Sequence, residues 1–123
     1  MKDMKKSVDR ILESISYKKT VLIFGDYDVD GTSSAAFLTL FLKSIGLEAH
    51  YYIPSREKEG YGISKQGIDY AMYIGADIFI SCDCGINAFD KIDYANEKNL
   101  DVIITDHHKP ADKLPNAFSI INP

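Results

Sequence analysis

Three things are scarce in this 123-residue sequence, and each scarcity removes a class of protein. Cysteine occurs twice, at Cys82 and Cys84, with a single residue between. On an extended segment the two would share a face, a poor start for a disulfide framework, which argues against a small secreted scaffold. Long apolar runs are missing, since none approaches the ~20 residues needed to span a bilayer. The amino-terminal Met1-Lys2-Asp3-Met4-Lys5-Lys6 is charged and does not lead into a signal core. A basic surplus is missing too. Fourteen Lys and Arg against eighteen Asp and Glu leave a formal net charge of -4, the wrong sign for a stand-alone nucleic-acid binder. That deficit counts for less where acidic residues gather around metal ions, whose charge reverses the local sign. The expectation is a soluble, cytoplasmic protein with no membrane association. Repeats, low-complexity stretches and linkers are also absent.

What is present reads as one domain of alternating strands and helices. Apolar positions Val8, Ile11, Leu12 and Ile15 recur at helical spacing between Asp3 and Ser16. Thr20-Val21-Leu22-Ile23-Phe24 has the β-branched, apolar character of a strand buried on both faces. A helix is expected over 32–45, with Gly46 as its stop, and a second strand over 48–53. Pro54 to Gly62 reads as a polar loop. Helices over 64–74 and 88–99 then alternate with strands over 77–81 and 102–105, and residues 118–121 suggest a fifth strand. The fold class is therefore α/β: a parallel sheet of four to five strands with helices on both faces. In such sheets ligands bind outside the carboxyl ends of the strands, near the switch in strand order.

The unusual residues fall at those ends. The first strand runs into Gly25-Asp26-Tyr27-Asp28-Val29-Asp30-Gly31-Thr32, the third into Cys82-Asp83-Cys84-Gly85, and the fourth into Thr105-Asp106-His107-His108. Asp26, Asp28, Asp30, Asp83 and Asp106 would meet two imidazoles on one rim. Carboxylates crowded together repel and are costly to bury unpaired. Divalent cations answer both problems, and oxygen ligands with one or two histidines suit Mn²⁺ or Mg²⁺ better than a soft metal. Two such ions activate water and clamp a phosphoryl group for in-line displacement. The amino end of the helix expected over 32–45 points at the same place and favours an anion there.

These segments resemble a known family. Gly25 to Thr32 is similar to the first motif of the DHH phosphoesterases in its RecJ form, and Ile53-Pro54-Ser55-Arg56 through Glu59-Gly60-Tyr61-Gly62 is similar to the RecJ-specific second segment. Asp83-Cys84-Gly85 matches the aspartate motif, Asp106-His107-His108 the triplet that names the family, and Ile121-Asn122-Pro123 its continuation. The resemblance implies a Rossmann-like DHH domain and a hydrolase that cleaves single-stranded DNA from its 5′ end. It implies metal ligands at Asp28, Asp30, Asp83 and His107 for two Mn²⁺ or Mg²⁺ ions, with Asp26 as a supporting acidic position. It gives Asp83 the role of touching both ions. It gives His108 the phosphate, Asp106 the orientation of the histidines, and Arg56 a further phosphate contact. The family pattern also includes a later aspartate ligand and a second domain that grips nucleic acid. On that expectation residues 1–123 are the amino-terminal part of the domain, completed by a carboxyl-terminal domain or a separate chain.

Blander readings exist for each motif. Asp-x-Asp-x-Asp-Gly also opens a calcium loop, but the twelfth position, counted from Asp26, is Phe37 and not Glu. Asp28-Val29-Asp30-Gly31-Thr32 imitates a haloacid dehalogenase-like nucleophile motif, which leaves Asp83 and the histidine pair without a role. Asp30 would serve simply as a helix cap. Cys82 and Cys84 read as small buried residues, because zinc pairs prefer wider spacing. Two further functions stand beside the nuclease: a DHH phosphodiesterase of short oligonucleotides or cyclic dinucleotides, and a catalytically inactive interaction module of the same fold.

Overall fold

The computed structural model describes all 123 residues, Met1–Pro123. Helix α1 (Met4–Ser16) leads into strand β1 (Thr20–Gly25), followed by α2 (Val29–Ser44), β2 (Glu48–Tyr52) and a single-turn helix α3 (Arg56–Glu59). Then come α4 (Lys65–Tyr73), β3 (Ile78–Cys82), α5 (Phe89–Glu97), β4 (Asp101–Thr105) and β5 (Ser119–Ile121). The five strands form one sheet in the order β2-β1-β3-β4-β5, and every pairing is parallel. The chain leaves β1 toward β2 and then crosses to the other side for β3. The switch point therefore lies between β1 and β3, where two of the acidic motifs emerge.

Alternation along the central strands feeds two cores. Val21, Ile23, Ile78, Ile80 and Ile103 point to one face, where Ala35 and Leu42 of α2 and the half-buried Ile11 and Ile15 of α1 cover them. Leu22, Phe24, Phe79, Val102 and Ile104 point to the other, against Ile68 and Ala71 of α4 and Ile92 and Ala95 of α5. A strand covered on both faces has no polar side to show, which is why β1 and β3 are buried at every position. No helix is long and apolar enough to cross a membrane.

The structure departs from the sequence reading in four places. In α1, Val8 and Leu12 are exposed, and Ser7 and Ser14 turn inward instead. Small side chains let this helix lie close over the β4–β5 edge, where the Ser7 hydroxyl meets Ser119 Oγ at 2.8 Å and Arg10 Nε donates to Asp101 Oδ2 at 2.8 Å. Helix α2 begins at Val29, three residues before the expected start, because Asp28 rather than Asp30 is its cap. The Asp28 carboxylate accepts from Gly31 N at 2.8 Å. The polar segment after β2 is not all loop, since Arg56–Glu59 makes a helical turn. Finally, Cys82 and Cys84 do not share a face: Cys82 joins the α2-side core and Cys84 the opposite one. Asp83 between them has φ +62°, which breaks the extended run. Both thiols are free and buried, and burial pushes Cys82 up to about 11.

Candidate metal centre

The site begins where β1 meets α2. A Cβ on Gly25 would lie 2.2 Å from the Gly31 carbonyl oxygen, and one on Gly31 would lie 2.4 Å from that of Asp26. Only glycines allow the strand end and the helix start to touch, so the turn delivers the amino terminus of α2 directly beside the strand's carboxyl end. Asp26 is the first residue past the strand and is 1% exposed. Its Oδ1 accepts from Tyr27 N at 2.9 Å, while Oδ2 is buried with no partner. Burial pushes its carboxyl above the ordinary range, the charges of Asp28 and Asp83 add to the rise, and the Tyr27 N–H and, more weakly, the Gly62 N–H oppose it. Asp28 is exposed and gives one oxygen to the helix cap; Asp30 is exposed in the first turn of α2.

The opposite wall comes from β3 and β4. Asp83 follows β3 in the left-handed region, uncommon for a side chain other than Gly, Asn or Asp. Its N–H donates to the Thr105 carbonyl at 2.9 Å, which ties the two strand ends together. That conformation aims its carboxylate at His107, whose Nε2 lies 2.7 Å from Asp83 Oδ1. His107 and His108 stack obliquely with ring centroids 4.6 Å apart. Donor atoms of Asp83, His107 and His108 all lie within 4.8 Å of one another.

Asp106 holds this pair from behind. Its Oδ1 accepts from His107 N at 2.8 Å, His108 N at 3.2 Å and His108 Nδ1 at 2.6 Å, and its Oδ2 accepts from Ile86 N at 3.1 Å. Burial works to raise Asp106, but the Ile86 N–H, the His108 ring and the two other backbone N–H groups outweigh it and hold the carboxyl low. The same hydrogen bond to Asp106 raises His108, against the opposing effect of desolvation. With Nδ1 taken, only Nε2 of His108 faces outward, 3.2 Å from the Tyr61 hydroxyl.

Asp83, His107 and His108 thus come together, with Asp106 behind them and Asp26 facing them from β1. Asp28 and Asp30 stay outside that cluster on the exposed rim. Arg56 lies over the Tyr27 ring, with Cζ 5.4 Å from its centroid, and so leans toward the β1 side.

Three residues at the site carry no role in the sequence reading. Tyr61 sits between Gly60 and Gly62, with φ +76° and +78°, and that pair of left-handed turns carries its ring edge-on to His108. Burial, and then the negative charge of Asp26, pushes its hydroxyl up to about 12. Glu59 accepts from the Tyr52 hydroxyl at 2.8 Å, Ser64 Oγ at 2.7 Å and Ser55 N at 2.6 Å, which braces the same segment. Asn122 donates to the His108 carbonyl at 3.0 Å. The signal for the first two is the segment from Ile53 to Gly62 that resembles the second family motif.

These residues fit a hard divalent cation. A buried carboxylate oxygen without a partner is a costly arrangement that a cation would relieve. Mixed carboxylate and imidazole donors suit manganese or magnesium.

The model of the DHH family, N-terminal domain, matches residues 20–123. The chain belongs to the DHH family. Among relatives, the single-stranded-DNA-specific exonuclease RecJ of Bacillus subtilis (strain 168) is 41% identical over 123 residues, all of this chain and 16% of that protein. RecJ of Escherichia coli (strain K12) is 35% identical over 121 residues, 98% of this chain and 21% of that protein. The chain thus spans about a sixth to a fifth of the length of these relatives. A crystal structure of exonuclease RecJ bound to manganese superposes with a TM-score of 0.90 at 30% identity, covering 100% of this chain and 31% of that one. RecJ from Thermus thermophilus in complex with Mn²⁺ gives 0.80 at 26% identity, covering 97% and 16%. The α/β fold with a parallel five-stranded sheet is that of this family.

Proposed function

We propose that this DHH-family chain supplies the metal-binding part of a RecJ-type exonuclease, a metal-dependent phosphodiesterase that removes nucleotides from the 5′ end of single-stranded DNA. The observation that carries the reading is the convergence of Asp83, His107 and His108 within 4.8 Å, opposite a buried Asp26 oxygen that lacks a partner. Supporting it are relatives named as single-stranded-DNA-specific exonucleases and structural neighbours described as manganese-bound.

On this reading Asp26, Asp28, Asp30, Asp83 and His107 hold Mn²⁺ or Mg²⁺, two ions in the complete site. When bound, such ions lower the pKa of a coordinated water and neutralise charge on the phosphate. Asp106 takes the Nδ1–H of His108 and favours the imidazolium, so that Nε2–H donates to the phosphate. As a group raised by Asp106, His108 is also suited to answer negative charge as it develops. Arg56 adds a phosphate contact from the β1 side, and the amino terminus of α2 favours an anion there. Asp106 and His108 are the catalytic pair; Arg56 and His108 contact substrate.

We assign residues 1–123 to the amino-terminal part of the DHH domain, and grip on the DNA to the length the relatives have in addition. With a net charge of -4, little in these residues offsets repulsion from a polyphosphate. The complete enzyme is then a soluble, cytoplasmic protein of DNA repair and recombination.

Calorimetric titration with Mn²⁺ tests the metal centre. Asp83→Ala removes the carboxylate that faces both histidines and lowers affinity by at least about 100-fold. Affinity unchanged in that variant sinks the assignment.

A further inference from the structure

Helix α2 carries no charge between Asp30 and Lys43. The other multi-turn helices place charge on their outer faces: α1 exposes Lys5, Asp9 and Glu13, α4 exposes Lys65 and Asp69, and α5 exposes Asp90, Lys91 and Asp93. On α2 the outer side shows Phe37, Leu40 and Phe41 instead, 73%, 68% and 50% exposed. Their spacing of three and four puts them on one face. A helix that is apolar on every side is one that packs on every side. Nothing in these residues covers the outer side of this one.

Beside this ridge runs a groove. Ala36 and Leu40 of α2 line it together with Tyr51 and Ile53, it holds about 400 Å³, and Lys43 is the one charged residue in its lining. β2 pairs with β1 alone, so the sheet ends there. The other edge of the sheet is treated differently: α1 covers β5, and Asp3 Oδ2 accepts from Ile120 N at 3.0 Å. With Tyr51 62% exposed, ridge and groove make one apolar patch of roughly 500 Å², taking ~150–250 Å² for each whole aromatic side chain. A patch of that size marks an interaction site on a soluble protein.

We propose that a second copy of this chain docks on the α2–β2 face, each copy seating its Phe37 ring in the groove of its partner. Shape selects the chain itself as the occupant. Phe37 and Phe41 stand on one flank of Leu40, and Ala36 with the groove lies on the other. A two-fold axis running along α2 therefore lays each ridge over the opposite groove, and the same contact is made twice. It also brings Phe41 to the height of Lys43, a cation for the face of its ring. Area agrees with shape. Two such patches bury roughly 1,000 Å², the least that supports a specific interface.

The test is sedimentation equilibrium of the chain, of two variants, and of the two variants mixed. The parent forms a dimer with a dissociation constant of ~1–100 µM, the affinity of a small interface. Phe37→Ser removes the ridge and Ala36→Trp fills the groove. Both positions are exposed, and the backbone amide spectra of β1 and β3 check that the fold is kept. Each variant alone associates at least about 100-fold more weakly, since symmetry removes the contact twice. Mixed, the two dimerise again, because one supplies the groove and the other the ring. Tyr73→Ser, which deletes an 86% exposed ring on α4, leaves association unchanged. A parent chain that stays monomeric up to about 1 mM leaves this face to solvent or to another polypeptide, and overturns the proposal. So do particles larger than two copies, association that survives both variants, a mixture that remains monomeric, or weakening by Tyr73→Ser.

Discussion

The two walls of the site are built to different standards of completeness. On the β3–β4 side every functional side chain has a protein partner: Asp83 faces His107, and Asp106 accepts from three backbone N–H groups and the His108 ring. On the β1 side Asp26 is buried with one oxygen alone, Asp28 is exposed with one oxygen on the helix cap, and Asp30 stands in solvent. The first wall is preformed by the chain. The second is held in place by the Gly25–Gly31 contact and awaits charge from outside. Preorganisation is thus unevenly shared, and the wall that orients histidines is the one that needs no help.

The largest effect should come from dismantling the finished wall. Asp106→Ala strands the N–H groups of Ile86, His107 and His108 and frees the histidine ring. Of these donors the Ile86 N–H is buried and the two histidine N–H groups are partly so; a stranded buried donor costs ~1–3 kcal/mol, so urea denaturation should show a loss of about 3 kcal/mol in all. A loss under about 1 kcal/mol would mean that water replaces the carboxylate freely and that this wall is not preformed.

On the unfinished wall the same kind of change should reverse sign. Asp26→Asn removes a buried charge whose carboxyl is raised by burial and by the charges of Asp28 and Asp83. A raised carboxyl in the folded state opposes folding once pH exceeds its unfolded value, and this penalty disappears in the amide. Without metal, Asp26→Asn should be the more stable protein by about 1 kcal/mol, the scale of one unsatisfied buried polar group. With Mn²⁺ the order should invert, because the variant gains less from the ion. Thermal melts with and without Mn²⁺ read both signs, and a variant less stable under both conditions would contradict the contrast between the walls.

Asp28 lets its two uses be separated. Asp28→Ala loses cap and charge and should cost about 1 kcal/mol, whereas Asp28→Ser keeps the cap to Gly31 N. Both variants should bind Mn²⁺ more weakly, but only the alanine should melt lower. Equal melting temperatures would show that the cap contributes nothing to α2.

The same contrast explains what was legible beforehand. Strand ends were readable because β1, β3 and β4 are apolar runs that stop at Gly25, Cys82 and Thr105, and the acidic motifs follow at once. The convergence of Asp83 with His107 and His108 followed from parallel topology alone. Harder were features that depend on one residue's conformation. The left-handed Asp83 separates Cys82 from Cys84, and no period-two pattern announces it. The inward serines of α1 reverse the usual rule because close backbone approach, not apolar area, sets that contact. Tyr61 was hidden for a similar reason, since its position depends on two glycine turns and on Glu59, whose three partners are seven or fewer residues away on both sides of it in the chain.

Glu59 gives the smallest effect and the finest test, because it braces the segment that spans from Arg56 on the β1 side to Tyr61 beside the finished wall. Burial acts to raise its carboxyl, but the Ser55 N–H, the Ser64 hydroxyl and the Tyr52 hydroxyl together bring it below the ordinary value. A depressed carboxyl contributes stability that is present above the unfolded Glu value, ~4.3. That contribution fades as pH falls through the lower, folded value. The segment should therefore hold at neutral pH and loosen in acid, below about pH 4, before the sheet itself unfolds. The Tyr52 and Tyr61 ring signals in NMR report on it directly, and the backbone amides of β1 and β3 serve as the reference. Glu59→Gln keeps an acceptor oxygen but loses the charge, so its tyrosine signals should no longer change in that acid range. If they move with pH as in the parent chain, the brace lies elsewhere, and Tyr61 is held over His108 by its two flanking glycines alone.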